Sequence, residues 1–368
     1  MFITFCYHFL FLLYVLFLFR LIIKKPYTSL RDFFNLAICG ASAAFVSAVF
    51  VGMILTGKPD ANLAFHTLAW HGSIFLFVSA FLMNRQKHNE KPRRLFPAAV
   101  FLFGCIYCGL AVDALFIEPF ALTVRETTIV TPKITKPLKI VFCTDIQVDR
   151  VGNYERRTLQ KIKEINADLI LFGGDYVQGR TAAVHQQLVK DLNQLFKEVD
   201  LQAPLGLYAV LGNLDWYGYP YWQEIFDATN IVPKKQTVSE SVGEIRLTFL
   251  SPDASFRKKQ IVDDNAEGKF RIIIGHAPVF SMREQDADLL LAGHTHGGQV
   301  QVPGFGALLT LSGDLPRRWA SGLTRLPNET TLIVSNGSGL ERGKAPRVRF
   351  WCRPDFWVIH LIPVNSRG

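Results

Sequence analysis

Two histidines one residue apart, His294 and His296, follow an apolar run at residues 288–292 and lead straight into Gly297 and Gly298. Alternate residues on a strand share a face, so both imidazoles can aim at one point where the chain turns. The glycines carry no Cβ and let the backbone approach whatever the histidines hold. A metal site is the chemistry this suits; two solvated histidines at a strand end are the plainer alternative. Four other apolar runs also finish on residues that can donate to a metal. Residues 139–143 lead to Asp145 and Gln147, and 168–172 to Gly173-Gly174-Asp175. Residues 206–211 lead to Gly212-Asn213-Leu214-Asp215, and 271–275 to His276.

Collected in order, the donors are Asp145, Gln147, Asp175, Asn213, His276, His294 and His296. Carboxylate, amide and imidazole together suit Mn²⁺, Fe, Zn²⁺ or Mg²⁺ better than an ion that prefers thiolates. The set is larger than one such ion needs when water must also bind, so two ions sharing a carboxylate is the economical arrangement. Of the other histidines, His8, His66, His71 and His88 belong to the apolar first third, His185 to a helical stretch and His360 to the last strand.

The elements that must position these donors are strands and helices in alternation. Helical spacing recurs at 156–165 and 184–199, a strand is expected at 121–130, and the five short apolar runs read as buried strands. In open α/β sheets, sites form beyond the carboxyl ends of the strands. Downstream, residues 299–311, 330–334, 348–352 and 356–361 read as strand-rich, which fits a second sheet stacked on the first.

Before this α/β part lie four apolar runs, near 2–23, 33–55, 63–83 and 96–117. Each approaches the roughly 20 residues that cross a bilayer as a helix. The first lacks a basic lead-in and a small-residue cleavage pattern, so it reads as a retained helix rather than a signal peptide. A multi-pass region at 1–117 and a second domain at 118–368 follow. Of the formal +9, the residues up to Arg94 carry +7, which leaves the α/β part near neutral and argues against a nucleic-acid partner. Basic residues crowd after the first run (Lys24, Lys25, Arg31) and the third (Arg85, Lys87, Lys91, Arg93, Arg94). The positive-inside rule puts those loops in the cytoplasm and the 118–368 domain on the extracytoplasmic side of the cell membrane. Cys143 and Cys352 are the only cysteines of that domain, and spacing does not say whether they pair. Oligomeric state is not legible.

The order Asp145-Ile-Gln147, Gly174-Asp175, Gly212-Asn213-Leu214-Asp215, Gly275-His276 and Gly293-His294-Thr-His296-Gly-Gly-Gln299 resembles the calcineurin-like metallophosphoesterases. More closely it is similar to their membrane-attached or exported bacterial branch, from about Glu118 to the C-terminus. The resemblance implies a four-layer αββα sandwich with two divalent ions, Mn²⁺ foremost. Asp145, Gln147, Asp175 and His296 would hold the first; Asp175 as bridge, Asn213, His276 and His294 would hold the second. Two ions about 3.5–4 Å apart can activate a nucleophile and clamp the phosphoryl oxygens.

Two positions depart from that family's pattern, which has histidine at both Gln147 and Leu214. A neutral amide suits harder ions, so the resemblance implies a looser first site favouring Mn²⁺ or Mg²⁺. The family's histidine at position 214 steadies the phosphate and protonates the leaving group; a missing general acid costs a factor of about 10²–10⁴. Anhydrides depend less on that proton, so pyrophosphate-type substrates are expected, including lipid-linked ones. The UDP-diacylglucosamine pyrophosphatases of this superfamily also lack histidine there. Asn213 and Asp215 are the expected catalytic residues, although Asp215 could instead cap the following helix or hold a water. The competing reading is a degenerate relative that binds metal or a phosphorylated ligand as a sensor or assembly protein.

Overall fold

The computed structural model describes residues 72–81, 83–84, 95–179, 181–218, 221–261, 268–308, 310, 312, 315–341 and 347–364, together with Leu13 and Ile38. The chain divides into two compact units, Met1–Leu115 with Arg342–Arg347, and Phe116–Glu341 with Val348–Gly368.

In the first unit the helix Leu95–Val112 is apolar on every side, with no acidic residue in its first turn and no basic one in its last. It passes through a π-helical turn, Asp113–Ile117, and a 3₁₀ turn, Glu118–Phe120. The whole stretch Leu95–Phe120 is 26 residues long with mean hydropathy 2.2, enough by length and composition to cross a membrane. It is the only such helix among the described residues, and Gly72–Phe81 is a shorter apolar one. Apart from Leu13 and Ile38, the expected spans at 2–23 and 33–55, and much of that at 63–83, lie outside the described residues.

The described residues of the second unit form fourteen strands: β1 (Thr123–Thr131), β2 (Leu138–Cys143), β3 (Leu169–Phe172), β4 (Leu207–Val210), β5 (Ile231–Lys234), β6 (Val238–Val242), β7 (Ile245–Phe249), β8 (Phe270–Ile274), β9 (Leu289–Ala292), β10 (Gln301–Val302), β11 (Gly306–Ala307), β12 (Gly322–Arg325), β13 (Thr331–Val334) and β14 (Asp355–Pro363). One six-stranded sheet runs β1-β14-β2-β3-β4-β5 and another β12-β13-β9-β8-β7-β6, with β10-β11 a separate hairpin. Within the first sheet β2 to β5 are mutually parallel, and within the second so are β7, β8, β9 and β13.

Strand alternation builds the layers. Ile140, Phe142, Leu169 and Leu171 of the first sheet share a core with Leu247, Phe249, Ile272, Ile274, Leu289 and Leu291 of the second. The intervening residues Val141, Cys143, Ile170 and Phe172 face the helices Asn153–Glu164 and Ala182–Val199, which bury Leu159, Ile162, Leu188, Leu192 and Phe196 against them. On the second sheet Ile273, Leu290, Leu332 and Val334 pack with Leu250, Phe280 and Leu326. Strands covered on both faces read as continuous apolar runs, which is what marked them in the sequence.

Three expectations are corrected. The five donor-ending runs do not lie in one sheet: β2, β3 and β4 belong to the first, β8 and β9 to the second. Residues 348–352 form no strand beyond a single bridge, Val300 to Phe350, because Trp351 turns the backbone to φ 50° and Arg349 folds inward. Among the described residues of 299–311 the strands are the short β10–β11 pair, separated by a turn at Pro303 and Gly304.

Candidate active site

The carboxyl ends of β2, β3, β4, β8 and β9 release Asp145, Asp175, Asn213, His276 and His294. The backbone departs from ordinary strand geometry as soon as the strands end. Asp145 (φ 50°), Gln147 (φ 39°), Asp175 (φ 55°), His294 (φ 69°) and His296 (φ 48°) all lie in the left-handed region, which non-glycine residues seldom occupy. Such strain concentrates where surrounding contacts fix a functional geometry. It also corrects the strand-face argument for His294 and His296, which leave β9 at Ala292 and are placed by a turn instead.

Close backbone approach requires glycine at two points. A Cβ on Gly212 would collide with the Asp175 carboxylate, and one on Gly293 with that of Asp145. The loop after β4 is thereby drawn onto the Asp175 carboxylate after β3, and the loop after β9 onto the Asp145 carboxylate after β2.

Asp175 lies at the centre. Its Oδ1 accepts the Leu214 N–H at 2.8 Å, and its Oδ2 lies 3.3 Å from both His276 Nε2 and Gln147 Nε2. His276 has its Nδ1 2.9 Å from the Gly173 carbonyl and its Nε2 3.1 Å from Asn213 Oδ1. A ring nitrogen donating to a carbonyl aims its other nitrogen at the site. The ligand atoms of Asp175, His276 and His294 all lie within 4.8 Å of one another. His294 also meets Phe256 edge-on at 4.8 Å between ring centres.

On the other side Asp145 is fully buried; its Oδ2 accepts the Thr144 hydroxyl at 2.8 Å and the His294 N–H at 2.9 Å. Its Oδ1 stands 3.5 Å from His296 Nε2. Asp145 Oδ1 and His296 Nδ1 are buried with no hydrogen-bond partner among the described residues. An orphaned buried polar atom costs roughly 1–3 kcal/mol, a deficit that a cation at Asp145 would remove. The donor set therefore fits divalent ions.

Charge follows the same geometry. Burial pushes the Asp175 carboxyl up, but the charge and hydrogen bond of His276 outweigh it and hold it below its ordinary value. Burial would lower His276, yet the Asp175 carboxylate raises it to about 10. Burial dominates at His296 and brings it down to about 4, leaving a neutral imidazole. Asp145 is raised by burial against the pull of His296 and His276.

The candidate ligands read from the sequence thus lie just past the carboxyl ends of strands from both sheets. Asp215 is there too, 3% exposed, but turned away from the cluster: it accepts the backbone N–H groups of Asp175 (2.7 Å), Tyr176 (3.1 Å) and Gly212 (2.8 Å). Burial, then the charge of Asp175, raises its carboxyl to about 7. Sequence reasoning missed two residues. Arg349, fully buried, donates to the carbonyls of Cys352, Asn336, Gly337 and Gly339, and the Gly339 N–H in turn holds the Asp145 carbonyl at 2.7 Å. Glu341 reaches Gln147 and Gln178. Cys143 and Cys352 are free and buried.

The profile of the calcineurin-like phosphoesterases matches residues 138–298, which contain β2 through β9 and every candidate ligand. Phosphodiesterase YaeI of Escherichia coli (strain K12) is 33% identical over 253 residues, covering 61% of this chain and 83% of that protein. The chain belongs to the calcineurin-like phosphoesterases. It is also 27% identical over 289 residues to the uncharacterized metallophosphoesterase YkuE of Bacillus subtilis (strain 168), covering 72% of this chain and 96% of that one. UDP-2,3-diacylglucosamine pyrophosphatase LpxG of Chlamydia muridarum (strain MoPn / Nigg) is 22% identical over 285 residues, 61% of this chain and 84% of its own. As a calcineurin-like phosphoesterase the protein is a metal-dependent hydrolase of phosphorylated substrates, and its mixed α/β sheets accord with that family's sandwich.

Proposed function

We propose that this phosphoesterase is membrane-anchored, works with two divalent ions, and hydrolyses pyrophosphate-type or otherwise activated phosphate bonds of a substrate at the membrane surface. Asp145, Gln147, Asp175 and His296 hold one ion; Asp175, Asn213, His276 and His294 hold the other. The observation that carries the dinuclear reading is the position of Asp175, whose Oδ2 faces His276 on one side and Gln147 on the other. When bound, the ions supply charge neutralisation at the phosphoryl group and an activated water. Mn²⁺ is the metal we assign, on the oxygen-rich donors of the first site.

The chain's own residues position and hold protons. Asn213 sets its Oδ1 3.1 Å from His276 Nε2, so the two present their donor atoms to the second ion side by side. Asp215 is a positioning residue rather than an acid, since its oxygens are taken by three backbone N–H groups. Leu214 contributes its N–H to Asp175 but no side-chain proton. With no proton donor at that position, a substrate whose leaving group departs as a stabilised phosphate is favoured.

Membrane attachment is supported by the helix Leu95–Phe120, and a multi-pass arrangement with the domain outside the cytoplasm rests on the charge pattern of the first 94 residues. Similarity to a relative named as a diacylglucosamine pyrophosphatase supports lipid-linked substrates. Tethering raises the local concentration of such substrates. An extracytoplasmic domain would not meet cytoplasmic nucleotide sugars, so a lipid-linked phosphate or pyrophosphate of the outer surface is the class we assign. The test is turnover of a matched alkyl phosphate and alkyl pyrophosphate at saturating Mn²⁺. The anhydride should be strongly preferred; equal rates would refute the preference.

A further inference from the structure

The first metal site lacks the imidazole its family places at position 147, and the structure sets an unassigned carboxylate beside the replacement. Gln147 is fully buried, and its Nε2 lies 3.3 Å from Asp175 Oδ2 and 3.4 Å from Glu341 Oε2. One amide nitrogen thus stands between two carboxylates from opposite ends of the domain sequence. An –NH₂ group donating to two carboxylates takes, toward those oxygens, the place a small cation takes, and a half-turn of the amide presents its oxygen instead.

Glu341 is held on both its side chain and its backbone. Gln178 Nε2 donates to Oε1 at 3.1 Å, and the Glu341 N–H donates to Gln299 Oε1 at 3.0 Å. Gln299 closes the same turn that carries His296. The residue is therefore positioned by the loops of two of the first-site donors, Gln147 and His296. Asp145 Oδ1, buried and without a hydrogen-bond partner among the described residues, provides the remaining anionic oxygen.

We propose that Glu341 is a ligand of the first ion, supplying the donor that the exchange of imidazole for amide removed. The proposal rests on the two-ion reading above. Asp145, Asp175 and Glu341 give that ion three carboxylates, with Gln147 adding an amide oxygen and His296 the one imidazole. That oxygen-rich shell selects Mn²⁺ or Mg²⁺ over Zn²⁺.

The test uses the full chain in detergent, stripped of metal and titrated with Mn²⁺ alone, with bound metal counted and the electron paramagnetic resonance of the bound Mn²⁺ recorded. The parent protein should bind two ions and show an exchange-coupled pair. Glu341→Gln, which keeps size and removes charge, should weaken one ion by about 10–100-fold, leave the other unchanged and lose the coupled signal. Glu341→Asp should weaken the same ion less. Adding Gln147→His to Glu341→Gln should restore the second ion, and equal metal-free melting temperatures check that each variant folds. Two ions bound by Glu341→Gln with parental affinity overturn the proposal and leave the two-ion reading standing. A parent protein that binds only one ion overturns both.

Discussion

The Asp215 carboxylate accepts the backbone N–H of Asp175 at 2.7 Å, so a residue just after β4 fixes the turn that presents the central carboxylate after β3. The same oxygen accepts the Gly212 N–H, which ties the two loops together at one point. Replacing Asp215 by Asn leaves one oxygen for three donors. Asp215→Asn should lower stability by about 1–3 kcal/mol and reduce turnover through a misplaced Asp175. Denaturation of the metal-free protein, read beside Mn²⁺ affinity, checks this; unchanged stability and affinity would refute the bracing role.

Leu214 occupies the first turn of the helix Asn213–Gly218 and offers only its N–H toward Asp175. Leu214→His should therefore raise the rate on alkyl monoesters by up to about 10²-fold and change pyrophosphate hydrolysis little. A uniform change on both substrates would show that a proton donor is not what the site lacks.

Arg349 is buried and spends its guanidinium on the carbonyls of Cys352, Asn336, Gly337 and Gly339. A lysine cannot span that fork. Arg349→Lys should lower the melting temperature and weaken the ion at Asp145, whose carbonyl is held by the Gly339 N–H. Retention of both properties would mean that the loop is set by its other bonds.

His276 is raised to about 10 because the Asp175 carboxylate outweighs burial, so near neutrality the metal-free form keeps a proton that the metal-bound form must lose. Raising the pH toward 10 therefore strengthens metal binding, and lowering it weakens it. Calorimetry at pH 8 in buffers of different ionisation enthalpy should detect about one proton released with the ion at this site. No release would contradict a protonated His276.

Much of the candidate site was legible because its donors come within a few residues of the end of an apolar run, and runs buried on both faces stand out in a sequence. Their division between two sheets was not legible, since pairing is a long-range property. β5 contains Pro233 and Lys234, and β6 is a polar, largely solvent-facing edge strand, so neither carried an apolar signature. His294 and His296 were read as neighbours on a strand, whereas left-handed turns place them. Glu341 and Arg349 escaped notice for a shared reason: charged residues ordinarily face water, and their roles appear only with partners far away in sequence. Glu341 and Gln147 are 194 positions apart.

The cluster around Asp175 is proposed as a two-ion hydrolytic centre. The most direct measurement is metal content of the purified full chain, paired with Mn²⁺-dependent hydrolysis of a bis-aryl phosphate by the parent and by Asp175→Ala. A two-ion centre requires two ions and turnover in the parent, with both ions weakened and turnover abolished in the variant. A parent protein that holds metal yet hydrolyses nothing, or a variant that keeps its activity, would contradict it.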